Sequence, residues 1–185
     1  MTGPEITRIF AYGSLLWNPG FEYEQKTPAR LDGYHRAFCR LSVRHRGTPE
    51  RPGMVVGLKP GGSCEGIAYS VAARHRETVL AYLDEREGAG YRRELVTVHA
   101  AASGVGSAIH AYTYLPEEGH PTYAPDLSES EIVGLIQHGV GKSGRARDYL
   151  KELIDQLAVL NISEPAFARM WDLLEQIDRN VSPTP

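Results

Sequence analysis

Two short segments hold the residues best suited to chemistry. Tyr12-Gly13-Ser14-Leu15 follows an apolar run that begins at Ile6, and Arg86-Glu87-Gly88-Ala89-Gly90-Tyr91 lies much further along the chain. The first pattern predicts a strand running into a turn, where successive main-chain N–H groups can converge on a carboxylate or an oxyanion. The second places a glutamate where glycines stop a helix, so that its side chain lies beside open space. A carboxylate held in a partly apolar cleft is a candidate proton shuttle. The pair therefore reads as an anion cradle plus one carboxylate.

Other segments fall into the same ordered set: His45-Arg46-Gly47-Thr48-Pro49 with Pro52-Gly53, Gly66-Ile67-Ala68-Tyr69, and Ser143-Gly144-Arg145 followed by Tyr149-Leu150. With the two segments above, they make the chain resemble the ChaC family of glutathione-specific γ-glutamylcyclotransferases from about residue 9 to about residue 155. The marks of that family are a Tyr-Gly-Ser-Leu loop after the first strand and a glutamate in an Arg-Glu-x-x-Gly-Tyr setting. Some relatives have a longer spacing between the glutamate and the following Gly-x-Tyr than the short Gly-Ala-Gly-Tyr here, which bears on substrate preference, and Met54 stands after Pro-Gly where the family often has arginine, which removes one positive charge.

The resemblance implies a reaction within one substrate molecule. The α-amine of a γ-glutamyl amide attacks the γ-carbonyl, closes a five-membered lactam and releases an amine, giving 5-oxoproline and, from glutathione, cysteinylglycine. Neither a metal nor an organic cofactor is required. The resemblance makes Glu87 the catalytic acid-base, whose pKa burial would have to raise. Backbone donors at Gly13, Ser14 and Leu15, with Tyr12 as wall and hydroxyl, would grip the glutamyl carboxylate or the developing oxyanion. Arg46 and Arg145 are candidates for the glycyl carboxylate, and Tyr114 and Tyr123 match tyrosines whose hydroxyls line the family's pocket. Two alternatives stay open: cyclisation of other γ-glutamyl amines or amino acids, and a regulatory or binding module without turnover.

The elements that must position these residues follow from periodicity. Ile6 to Ala11 reads as a strand, and Leu31 to Val43 as one or two more. Arg44 to Gly53 is a proline-containing loop. Met54 to Lys59 and Cys64 to Val71 flank Pro60-Gly61-Gly62-Ser63, a hairpin pattern. From Arg74 to Arg86 the apolar residues Val79, Leu80, Tyr82 and Leu83 recur at helical spacing, which carries Glu87 along the edge of the buried face. Leu95 to Ala100 and Ile109 to Leu115 read as strands joined by Ala101 to Ser107. Ser128-x-x-Glu131 is a capping box ahead of Ile132, Val133, Leu135 and Ile136. Two further apolar stripes follow, Tyr149 to Leu157 and Phe167 to Ile177. Strands first and helices last predict a single α+β domain over residues 1–185, and the resemblance adds that the sheet closes into a small, mainly antiparallel β-barrel flanked by helices.

Composition narrows the partners. A chain of 185 residues with net charge −3 is large enough to bury roughly 70% of its unfolded surface. Its basic residues are scattered, which argues against nucleic acid or an anionic membrane and for a small molecule. The two cysteines and the absence of a signal-like N-terminus point to the reducing cytoplasm. A monomer is expected, with a dimer left open. Gly139-Val140-Gly141-Lys142-Ser143-Gly144 imitates dinucleotide and phosphate loops but follows a helix rather than a strand, and is expected to be an interhelical loop. The seven histidines lack metal-ligand spacing. Ser14 lacks the Gly-x-Ser-x-Gly elbow of serine hydrolases.

Overall fold

The computed structural model describes residues 7–100 and 107–181. Most of the predicted 101–107 link, and Ile6 at the start of the first predicted strand, lie outside the described residues. The chain divides into two compact units. The first runs to Ala37 and resumes over Gly57–Tyr123, while the second comprises Phe38–Val56 and the chain from Ala124 onward.

The barrel strands, in chain order, are β1 (Thr7–Ala11), β2 (Gln25–Ser42), β3 (Gly53–Val71), β4 (Tyr91–Ala100) and β5 (Ala108–Pro116). They close in the order β1-β3-β2-β4-β5. β1 runs antiparallel to β3, from Thr7 opposite Val71 to Ala11 opposite Ile67. β4 and β5 form a long antiparallel ladder from Tyr91↔Pro116 to His99↔Ala108, and β2 joins β4 with Leu31 opposite Val98. The parallel contact of β1 with β5 at Ile9↔Tyr112 completes the ring. The fold is thus the expected α+β type with a mixed, mainly antiparallel barrel. Ile9, Phe10, Leu83, Val71, Val98 and Thr113 are essentially inaccessible in the first unit. Thr113 lodges in that apolar core because its hydroxyl donates to the Phe10 carbonyl at 3.0 Å.

One expectation is corrected. The predicted hairpin over 54–71 is a single strand, β3, which passes through Pro60-Gly61-Gly62-Ser63 without reversing. Gly61 and Gly62 keep positive φ values of 95° and 71°, so the turn chemistry is real, but here it kinks a strand that must curve around a barrel. β2 likewise begins earlier than its aromatic and β-branched segment suggested.

Helix α1 (Arg76–Glu87) belongs to the first unit and buries Val79, Leu80 and Leu83. Tyr82, expected on that face, is 36% exposed. In the second unit, α2 (Glu129–His138), α3 (Ala146–Val159) and α4 (Pro165–Val181) pack on one another. The predicted capping box is present, with the Ser128 side chain and the Glu131 carboxylate each holding the other residue's N–H. Ile136, Leu150, Leu153 and Leu174 are fully buried there, and Phe38 meets the Phe167 ring edge-on at 5.2 Å. The segment between α2 and α3 contains two short strands, β6 (Val140–Gly141) and β7 (Gly144–Arg145), paired antiparallel. No helix among the described residues is long and apolar enough to cross a membrane.

Candidate active site

Immediately after β1, residues Ser14–Leu16 make one turn of 3-10 helix preceded by Gly13. Its carbonyls are used: Leu16 N–H donates to Gly13 O at 2.9 Å, and Asn18 N–H to Ser14 O at 2.9 Å. Its leading amides are not. The N–H groups of Gly13, Ser14 and Leu15 donate to no acceptor among the described residues. Donors orphaned at the start of a helical turn are what an anion requires.

The turn is braced from three sides. Arg36, a strand residue only 4% exposed, donates from Nε to Tyr12 O at 2.6 Å and from its terminal nitrogen to Glu65 O. Tyr69, 2% exposed, directs its hydroxyl at the carbonyls of Leu15 (3.1 Å) and Leu16 (3.3 Å). Burial pushes its pKa up to about 12, with the nearby Tyr23 adding to the rise. Arg86 donates to Ser14 Oγ at 3.1 Å and to the main-chain oxygens of Asn18 and Pro19 at 2.7 and 3.1 Å.

Arg86 and Glu87 are the last two residues of α1, so the braces that hold the Ser14 turn reach to within one residue of the carboxylate. Glu87 is half-buried. The helix stops because Gly88 takes φ 65° and ψ −167° while its N–H closes on Asp84 O. That backbone region is essentially restricted to glycine. The sequence pattern of a glutamate at a glycine stop is therefore what the chain builds, with the stop tied to the first turn through Arg86.

Two of the three tyrosines expected to present hydroxyls, Tyr12 and Tyr114, have those hydroxyls engaged with the protein. Tyr12 OH donates to Tyr114 O at 2.6 Å, and Tyr114 OH donates to Asp84 Oδ1 at 2.7 Å. Asp84 in turn takes Arg93 at 2.8 Å. Burial first, then the hydrogen bond and charge of Asp84, raise the Tyr114 pKa above the ordinary tyrosine range. A hydroxyl has one proton, so both oxygens retain only lone pairs, suited to an ammonium or amide N–H rather than to an anion. Tyr123, half-buried, follows a turn closed by its own N–H on His120 O at 2.8 Å.

Arg46 and Arg145 both lie in the second unit. Arg46 is largely buried, pairing with Glu152 at 3.1 Å, donating to Arg145 O at 3.1 Å and standing over the Tyr149 ring at 5.5 Å. Arg145 is exposed at the end of β7. Met54, in the position where arginine was noted, is fully buried in this unit's core. Among the described residues, no group of three or more His, Cys, Asp or Glu side chains could hold a metal ion.

Sequence reasoning missed Arg36 and Asp84 as supports of the turn and of Tyr114, because their partners are main-chain oxygens or a tyrosine distant in sequence and no local pattern marks them. Tyr69 and Arg86 were visible as parts of their motifs but carried no role.

A closed mixed barrel with an amide-lined turn after its first strand and a glutamate at a helix stop defines a γ-glutamylcyclotransferase-like protein. The chain belongs to the ChaC family, whose model, described as ChaC-like protein, matches residues 7–180. It is 32% identical to the glutathione-specific γ-glutamylcyclotransferase of Escherichia coli K12, over 84% of this chain and 67% of that protein. Against glutathione-specific γ-glutamylcyclotransferase 1 of Homo sapiens it is 33% identical, over 82% of this chain and 70% of the human protein. A crystal structure of a glutathione-specific γ-glutamyl cyclotransferase from yeast superposes with a TM-score of 0.86 at 21% identity, covering 92% of this chain and 96% of the other. That likeness speaks for the fold.

Proposed function

We infer that this chain is a γ-glutamylcyclotransferase that cleaves glutathione to 5-oxoproline and cysteinylglycine. Its relatives named for that activity are similar over most of both chains. The structural observation that carries the mechanism is the set of three unused amides at Gly13, Ser14 and Leu15, joined through Arg86 to the helix end that bears Glu87.

In this reading the amides of the turn bind the glutamyl carboxylate and hold the substrate curled, with amine and γ-carbonyl in attacking distance. Glu87 takes a proton from the α-ammonium. The freed amine lone pair forms the new C–N bond at the γ-carbonyl, and the bond to the cysteinyl nitrogen breaks. Glu87 delivers that proton to the leaving nitrogen and carries the second proton from the new ring nitrogen the same way, so the lactam keeps one N–H, cysteinylglycine departs as an ammonium and the protein ends as it began. Tyr12 and Tyr114 oxygens, with their protons committed elsewhere, are acceptors for the substrate's N–H groups. From the family resemblance we assign Tyr123 to the substrate pocket as well.

For the glycyl carboxylate we keep Arg46 and Arg145 as candidates. Arg46→Ala should raise KM for glutathione more than for γ-glutamyl-alanine. A panel of γ-glutamyl amines separates glutathione specificity from a broader cyclotransferase. We further read residues 1–185 as one family domain, since the family match spans residues of both units, and the protein as a cytoplasmic monomer. The test of the function is direct: purified protein incubated with glutathione releases 5-oxoproline, and Glu87→Gln, folded, does not.

A further inference from the structure

Arg86 is an unusual helix-end arginine. Nη1 donates to Asn18 O and Pro19 O and lies 3.0 Å from Tyr82 OH, while Nη2 donates to Ser14 Oγ. Every partner is neutral, and among the described residues no carboxylate pairs with it. A guanidinium has donors only, so Ser14 Oγ must be the acceptor in their bond and its own hydrogen must point elsewhere. Among the described residues the Gly13, Ser14 and Leu15 amides at the same turn also meet no acceptor. The turn thus gathers unused donors beside a positive charge that no acidic side chain of the described residues pairs with.

We propose that Arg86 is a positioning residue for the substrate's glutamyl carboxylate. It fixes the Ser14 turn to the end of α1, turns the Ser14 hydroxyl proton toward the bound anion, and keeps an unneutralised positive charge there. The role is distinct from that of its neighbour Glu87, which handles protons. It rests on the cyclotransferase reading, in which the turn holds the glutamyl carboxylate, and adds the residue that positions that turn. Binding groups gain most when their own orientation is locked by a supporting residue, and the planar fork of arginine, spanning four oxygens, does this where a lysine would not.

The test compares Arg86→Ala, Arg86→Lys, Arg86→Gln, Ser14→Ala and the double variant Arg86→Ala/Ser14→Ala. Loss of a charge-assisted contact to the binding loop should raise KM for glutathione about tenfold or more in Arg86→Ala while kcat stays within about threefold. Arg86→Lys should recover part of the loss. The double variant should be no worse than Arg86→Ala alone, because Ser14 acts through the same contact. An unchanged KM, a loss confined to kcat, or fully additive effects would overturn the proposal. Arg86→Gln keeps the measurement available should the alanine variant fold poorly.

Amide hydrogen exchange reads the clamp without any substrate. In Arg86→Ala or Arg86→Gln the Leu16 and Asn18 amides, bonded to Gly13 O and Ser14 O, should exchange faster, while those of the β4–β5 ladder stay unchanged. Equal exchange at the turn overturns the clamp whatever the substrate. Wild-type protein that forms no 5-oxoproline would instead overturn the cyclotransferase reading, a separate result.

Discussion

The hydroxyl of Tyr12 donates to the main-chain oxygen of Tyr114 at 2.6 Å, joining residues 102 positions apart in a buried bond. It fixes the last residue before the Gly13 turn to β5, the strand with which β1 makes its parallel contact. Tyr12→Phe removes the donor and leaves a buried carbonyl without it, a loss of about 1 to 3 kcal/mol of stability. Urea unfolding of the two proteins checks the size of that loss. Equal stability would show that the bond contributes nothing net.

Gly88 ends α1 in a conformation that side chains rarely enter. Space is not the constraint, since a Cβ there would meet only Glu85 O at 3.8 Å. Gly88→Ala should therefore act through the backbone, costing about 1 to 3 kcal/mol and redirecting the end of the helix that carries Glu87. We expect 5-oxoproline formation to fall more than the melting temperature would account for. Activity that merely tracks stability would contradict this.

Tyr69 gives a pH signature. Its hydroxyl titrates near 10 in an unfolded chain and at about 12 when buried under the Leu15 carbonyl. Because the folded value is raised, its contribution is fully present below pH of about 10 and is lost as pH climbs toward about 12, where the unfolded chain has released a proton that the folded one retains. Tyr114 adds a loss of the same sign. Unfolding free energy measured across that window should decline less steeply for Tyr69→Phe than for wild type. Parallel slopes would refute the assignment.

The parts of the structure legible in sequence are those determined locally. Ser128 and Glu131 cap α2 because the box is contained in four residues. Glu87 ends α1 because the apolar spacing of Val79, Leu80 and Leu83 reaches its limit at Gly88. Pro60-Gly61-Gly62-Ser63 misled because the same residues serve a hairpin or a kink, and only the distant pairing of β3 with β1 and β2 decides between them. Arg36 escaped notice for a related reason: a charged residue is tolerated inside the barrel because its acceptors are main-chain oxygens at Tyr12 and Glu65, which no local pattern announces. The commitment of the Tyr12 and Tyr114 hydroxyl protons to the protein was equally hidden, since Tyr114 O and Asp84 lie far from them in sequence.

The most direct measurement is the release of 5-oxoproline and cysteinylglycine from glutathione by wild type and by Glu87→Gln at equal concentration, with circular dichroism establishing that both are folded. Wild type should form the two products in equal amounts, and Glu87→Gln should be slower by a factor on the order of 10² to 10⁴, the usual worth of a positioned acid-base. A folded Glu87→Gln protein that turns over glutathione at near the wild-type rate would contradict the assignment of the proton shuttle to this carboxylate.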